Sequence, residues 1–181
     1  MKKKIIVAAL IVVLTIAGLY WAHSVAKKTG GSPITSSDFD PKNASYHIEG
    51  TDVVLVDGKA MTPIVPGSAS VMTTSYFGNL ATGELNDDGK VDSAYLLTQD
   101  SGGSGTFYYV VSALTQPDGK YIITDAVLLG DRIAPQTTEI RGGKLYVNYT
   151  DRKPGEAMTV TPSVGVTKTF FPNAKHQLTE Q

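Results

Sequence analysis

The chain contains no cysteine. No disulfide braces it, and no cysteine is there to carry the lipid of a bacterial lipoprotein; an oxidising compartment permits disulfides without demanding them when the core is large enough. Histidine is scarce: His23, His47 and His176 are scattered, at no spacing that would hold a transition metal. There is no basic stripe and no interleaving of aromatic with basic residues, which argues against a nucleic-acid partner. Nothing after residue 43 repeats apolar residues at the 3.6-residue period of an amphipathic helix.

What is present begins with Met1-Lys2-Lys3-Lys4, a basic start, followed by a run from Ile5 to Tyr20 that is apolar apart from Thr15 and Gly18. Ser24 and Ala26 fit the small-x-small rule for signal-peptidase cleavage. The run is long for a cleaved signal and short for a spanning helix, which needs about 17–25 residues. Residues 1–26 therefore read as a signal peptide or an N-terminal membrane anchor. In both readings the lysines stay in the cytoplasm and the remainder is exported, to the periplasm or to the periplasmic side of the inner membrane. Thirteen basic and seventeen acidic residues follow Ala26, a net charge of −4, the charge of an ordinary soluble surface.

Residues 27–43, KKTGGSPITSSDFDPKN, are rich in Gly, Ser, Thr, Pro and Asp and read as a flexible linker. The stretch 44–172, about 130 residues, is long enough to bury a core. It alternates short runs rich in Val, Ile, Thr, Tyr and Phe with turn signals every 8–12 residues. Ser45–Ile48, Val53–Val56, Val71–Phe77, Ser93–Thr98, Thr106–Leu114, Tyr121–Leu129, Thr137–Ile140, Lys144–Asn148 and Val166–Phe171 read as strands. Asp57-Gly58 between the second run and Ala60–Ala69 is a hairpin dipeptide. The latter stretch, with two prolines and a glycine, reads as irregular or as an edge. Residues 173–181 read as a polar tail. The expected fold is all-β: a single antiparallel sandwich or partly closed barrel of about eight strands behind an N-terminal signal or anchor helix.

The most informative stretch is Glu84-Leu-Asn86-Asp-Asp88-Gly89-Lys90-Val-Asp92. Oxygen-bearing side chains fall at every second position, with a glycine after the third and a further carboxylate four residues beyond it. A hard cation such as Ca²⁺ takes six to eight oxygens at about 2.3–2.6 Å, and a curled loop of this pattern supplies most of them. Together with Phe77-Gly78 upstream, the stretch resembles the calcium loop of FG-GAP repeats, and its core is similar to dockerin and other DxDxDG loops. The resemblance implies side-chain oxygens from Glu84, Asn86, Asp88 and Asp92, a backbone carbonyl from Lys90, and a sharp turn at Gly89. Glu84 stands where the pattern usually has Asp, and Tyr95 stands where an EF-hand has its bidentate Glu. The loop occurs once, so no propeller array is expected. Without an ion the same residues would close an acidic hairpin through Asx turns. Further along, GGSGTFYYV, LLGDRIAPQ, VNY, PGE and PSVGVTK resemble a group of uncharacterised exported proteins of Gram-negative bacteria, which implies export and a shared fold but no activity.

Two other constellations carry chemistry on paper. Asp100-Ser101-Gly102-Gly103-Ser104 echoes the nucleophile context of trypsin-like proteases, with His47 upstream, but the domain is too short for two six-stranded barrels, and a Ser/Gly turn explains the sequence. Asp131-Arg132 and Asp151-Arg152, with Glu156 nearby, would grip a ligand or do acid–base work, or simply close loops through charge-assisted hydrogen bonds. The expected function is accordingly a non-enzymatic envelope protein with a structural calcium loop, an interaction or assembly module for an envelope protein or glycan. The alternative is a small hydrolase or carbohydrate-active enzyme built on the cluster of Asp131, Arg132, Asp151 and Glu156.

Overall fold

The computed structural model describes residues 39–67 and 69–181; the expected signal or anchor segment and residues 27–38 of the linker lie outside the described residues. Asp38–Gln181 is a compact unit. It is all-β, and every ladder in it is antiparallel.

Two strands set the architecture, Asp92–Asp100 (β5) and Phe107–Thr115 (β6). Both carry near-continuous apolar runs, YLL and FYYVV, where a half-buried strand would alternate with polar residues. Such runs need apolar cover on both faces, and both faces are covered. Ala94, Leu96, Val110 and Leu114 point to one side, and Tyr95, Leu97, Tyr109 and Val111 to the other; all are buried. Register places Leu96 opposite Val110, and Tyr95 opposite Val111.

The central sheet runs β3 (Lys59–Pro63), β4 (Val71–Gly83), β5, β6, β7 (Tyr121–Ile123), with β8 (Val127–Asp131) also paired to β6. On one side lies a four-stranded sheet in the order β12 (Leu178–Glu180), β11 (Val164–Pro172), β10 (Lys144–Asp151), β9 (Ala134–Arg141). It contributes Leu145, Val147, Tyr149 and Phe170 to the first core. On the other side lies the hairpin β1 (Ser45–Ile48) and β2 (Thr51–Val54), which contributes Tyr46, Ile48 and Val53 and, just beyond it, Leu55 to the second. The result is three layers and two cores.

The described residues thus form twelve strands in three sheets, where about eight strands were expected. One added strand comes from the run Tyr121–Leu129, which divides because buried Thr124 turns inward: its N–H donates to the Ser112 carbonyl, and its hydroxyl accepts the Ser112 N–H. A second is β3, which pairs along the edge of β4 with Pro63 as its last residue and Pro66 beyond it. A third comes from the polar stretch 173–181, whose one leucine, Leu178, is buried on the first core as β12 pairs with β11. At the other end, Phe39 packs on Tyr121 at 4.8 Å between ring centroids and on Tyr95 at 6.3 Å, so the domain begins before residue 44.

β4 is longer than the run Val71–Phe77 because it bends. Its pairing with β5 skips twice, between Tyr76 and Gly78 and between Gly78 and Ala81, with Gly78 at φ 109 and Asn79 at φ 51. Bulges of this kind kink a strand and increase its twist. The bend carries the end of β4 against β9, where a Cβ on Gly83 would lie 2.8 Å from Ile140 Cγ2. The loop that follows therefore starts in the angle between the two sheets.

Candidate functional site

The loop 84–91 joins β4 to β5. Leu85 sinks into the first core, and the loop curls around it. Glu84 Oε1 accepts the backbone N–H groups of Asn86 (3.1 Å) and Asp88 (3.3 Å), and Asp88 Oδ1 accepts that of Lys90 (2.8 Å). Asp87 and Gly89 take the left-handed conformation, at φ 60 and 78, which lets so short a stretch reverse. The Asp87 carboxylate faces the turn between β9 and β10, where a Cβ on Gly143 would lie 3.7 Å from Asp87 Oδ1.

Asp92 is 1 % exposed and spans the loop. Its Oδ2 accepts the Leu85 N–H at 3.0 Å, and its Oδ1 accepts the Thr115 N–H at 2.8 Å. Burial pushes its carboxyl up to about 6, against the two N–H groups and with help from the negative charges of Asp88 and Glu84. Glu84 Oε2 is buried with no hydrogen-bond partner. None of the ion pairs among the described residues involves Glu84, Asp87, Asp88 or Asp92.

The Asn86 amide lies between two carboxylates. One end is 3.1 Å from Glu84 Oε1 and 3.2 Å from Asp88 Oδ1, and the other is 3.4 Å from Asp88 Oδ2. With nitrogen at the near end, the amide donates to both carboxylates and closes the loop unaided. With oxygen there, it accepts the Asp88 N–H at 3.3 Å but leaves three oxygens side by side with no proton between them. Among the described residues, no three Asp, Glu, His or Cys side chains converge into a ready cage; Asp92 is turned to Leu85 and Thr115.

The Asp-Arg dipeptides lie elsewhere, where the chain crosses from the central sheet at β8 to the second sheet at β9. A Cβ on Gly130 would lie 2.8 Å from Ile133 Cγ2, and Arg132 has φ 52. Arg132 grips Asp131 through Nη2 (2.8 Å) and Nε (3.1 Å), while Asp131 Oδ1 also accepts the Thr106 N–H at 2.9 Å. Burial alone would raise the Asp131 carboxyl. Hydrogen bonds from Arg132 and Thr106, with the charges of Arg132 and Arg152, outweigh it and hold the carboxyl below its ordinary value.

Arg152 joins this corner by donating through Nη1 to the Arg132 carbonyl (3.0 Å) and through Nε to the Val160 carbonyl (2.6 Å). Asp151 accepts the Arg152 N–H, and Glu156 accepts the Lys153 N–H. Asp131, Arg132 and Arg152 are thus brought together, whereas Asp151 and Glu156 each cap their own stretch of backbone. Asp100 in the protease-like stretch likewise accepts the Gly102 N–H at 2.6 Å. His47 sits in β1 against Asp52, which raises its pKa.

Sequence reasoning had no means of finding the anchoring role of Thr115. Its N–H holds Asp92, and its hydroxyl donates to the Val91 carbonyl at 2.6 Å, across 23 residues that only the β5–β6 ladder brings together. Compared with family models, with curated proteins and with solved structures, the chain finds no match in any of the three.

Proposed function

We propose that the chain is an exported, non-enzymatic envelope module, an interaction or assembly domain, whose loop 84–92 holds a structural Ca²⁺. The observation that carries the calcium reading is Glu84 Oε2, a buried carboxylate oxygen with no donor. An ionised carboxylate only accepts, and leaving a buried acceptor unpaired costs about 1–3 kcal/mol. In a loop with four carboxylates and no cationic partner, an ion meets that demand. Asn86, oxygen inward, would join Glu84 and Asp88 around it with the Lys90 carbonyl; Asp92, expected as a further ligand, has its oxygens held by the Leu85 and Thr115 N–H groups and would brace the loop instead. The ion would tie the β4–β5 link beside the β9–β10 turn, and its role would be to stiffen the angle between two sheets.

Export rests on the basic start and apolar run of residues 1–26, and places the domain in the periplasm or anchored on the periplasmic side of the inner membrane. The non-enzymatic reading is supported by the Asp-Arg corner, whose groups are occupied in holding backbone. An envelope protein or a glycan is the partner such a module would take.

The test is a thermal melt of the protein stripped with chelator and titrated with Ca²⁺ or Mg²⁺. A midpoint that climbs with Ca²⁺ concentration, and stops doing so in Asp88→Ala, is the expected result. An unchanged midpoint up to several millimolar would leave the loop as an Asx-turn hairpin closed by the Asn86 amide.

A further inference from the structure

The tripeptide Asp-Gly-Lys occurs three times, at 57–59, 88–90 and 118–120. The fold holds the three copies differently, and the difference bears on a reaction open to any aspartate followed by glycine. The glycine nitrogen attacks the aspartate side-chain carbon, unhindered because the next residue has no Cβ. A glycine whose N–H is already bonded, or whose surroundings are packed, resists that attack. Two copies are held in this way. Gly58 is buried; its N–H donates to the Lys42 carbonyl at 2.8 Å, and the Lys42 stem lies 3.5 Å from where a Cβ would stand. Gly119 donates its N–H to the Gln116 carbonyl at 2.9 Å. The Asp118 carboxylate accepts the Lys120 N–H and pairs with the Lys120 ammonium, both at 3.0 Å. Those bonds hold its carboxyl below the ordinary value and keep it ionised, the less electrophilic form.

The third copy is open. Asp88 and Gly89 are both exposed. Among the described residues no acceptor meets the Gly89 N–H, and nothing lies within 4 Å of where a Gly89 Cβ would stand. Asp88 Oδ1 accepts the Lys90 N–H at 2.8 Å. This Asx turn closes a ring around the Gly89 peptide and keeps the carboxyl carbon beside it. The carboxyl has no lysine or arginine in an ion pair among the described residues.

We infer that Asp88 is a site of spontaneous isoaspartate formation in the folded protein. The Gly89 nitrogen gives up its proton and bonds to Asp88 Cγ; the protonated carboxyl loses its hydroxyl as water, and a five-membered imide results. Water then adds to the imide. Opening at Cγ returns aspartate. Opening at the main-chain carbonyl leaves Gly89 bonded to Cγ, so that the chain runs through the former side chain. The water lost in the first step is regained in the second, and mass and oxidation state are unchanged. The product carries its carboxylate on Cα, one atom away from its former place, and takes the acceptor from the Lys90 N–H. The inference rests on the geometry of the turn and is independent of the calcium reading.

Asp57→Asn, Asp88→Asn and Asp118→Asn read the three turns one at a time. Asparagine closes the same ring with loss of ammonia, and the hydrolysed product is heavier, so intact mass follows the reaction. Each variant of the full chain is incubated with chelator near neutral pH, once folded and once in urea. The expected result is loss of the amide several-fold faster at 88 than at 57 or 118 in the folded protein, with the three rates converging in urea. Equal folded rates, or a faster reaction at 57 or 118, overturn the inference. So does an ordering that urea leaves unchanged, because flanking sequence and not the fold would then set it. Unsubstituted protein aged in the same buffer is digested and mapped as a second measurement: more isoaspartate at 88 than at 57 and 118 agrees with the inference, and none at 88 overturns it.

Discussion

Two charged turns stand at strand ends of this domain, and they balance their charge in opposite ways. At the β8–β9 corner the Asp131 carboxylate meets a bidentate guanidinium and a backbone N–H, so the corner is complete in itself. In the β4–β5 loop four carboxylates crowd together without a lysine or arginine in any ion pair, and one buried oxygen has no donor. The two aspartates at the heart of these turns shift in opposite directions, Asp131 down and Asp92 up. A self-neutralising turn is finished when the chain folds; the other leaves an acceptor unmet, the demand that the proposed ion would meet.

The largest effect that separates them is in pH. Asp92 has its folded value raised to about 6 from 3.8, so its ionisation opposes folding. Its contribution to stability is fully present below 3.8 and is lost as pH rises through 6, about 3 kcal/mol in all. Asp131 behaves conversely: its contribution is present above 3.8 and is lost only as pH falls through its depressed folded value. Urea midpoints of the chelator-treated protein, compared with Asp92→Asn between pH 7.5 and 4.5, isolate the first effect. Parallel curves for the two proteins would contradict it.

Next in size is the ion. If the proposed site is real, Ca²⁺ at a hundred times its dissociation constant would add about 2.7 kcal/mol, and by charge it would also hold Asp92 ionised and cancel the pH trend. Asp131→Ala comes third. It strips Arg132 and the Thr106 N–H of their acceptor and should cost about 2 kcal/mol, equally with and without Ca²⁺; calorimetry in both buffers reads this directly. Smallest is Asp88→Ala in chelator, which should move the midpoint by less than about 0.5 kcal/mol, because it removes one of several like charges. A large loss there would mean that the loop is finished without an ion, and the contrast between the two turns would collapse.

Most of the strands were legible because their apolar residues and turn signals are local. Ser45–Ile48 and the start of Lys144–Asp151 coincide with their runs. The layering was not legible, because YLL and YYVV report burial on both faces without naming what covers each. The full length of β4 depends on Gly78 and Asn79 adopting positive φ, and β12 rests on a single leucine in a polar stretch. In the loop, the alternating oxygens were readable from spacing. The engagement of Asp92 with Thr115 and the isolation of Glu84 Oε2 were not, since both depend on strands that meet it only in three dimensions.

The way Phe39 is seated has a mechanical consequence. Tension arriving along the leading segment would reach the domain first at this ring, wedged between Tyr121 and Tyr95, and next at β1. That strand's ladder partner is β2, and its hairpin meets the central sheet chiefly through side chains, with the Ala126 N–H to His47 carbonyl bond at 2.9 Å as a backbone tie. Under load the hairpin would peel away as one piece while the ladders of β4, β5 and β6 held. A protein pulled from its amino end in a single-molecule trap would therefore yield in two steps, the outer layer serving as a fuse for the sheet beneath it.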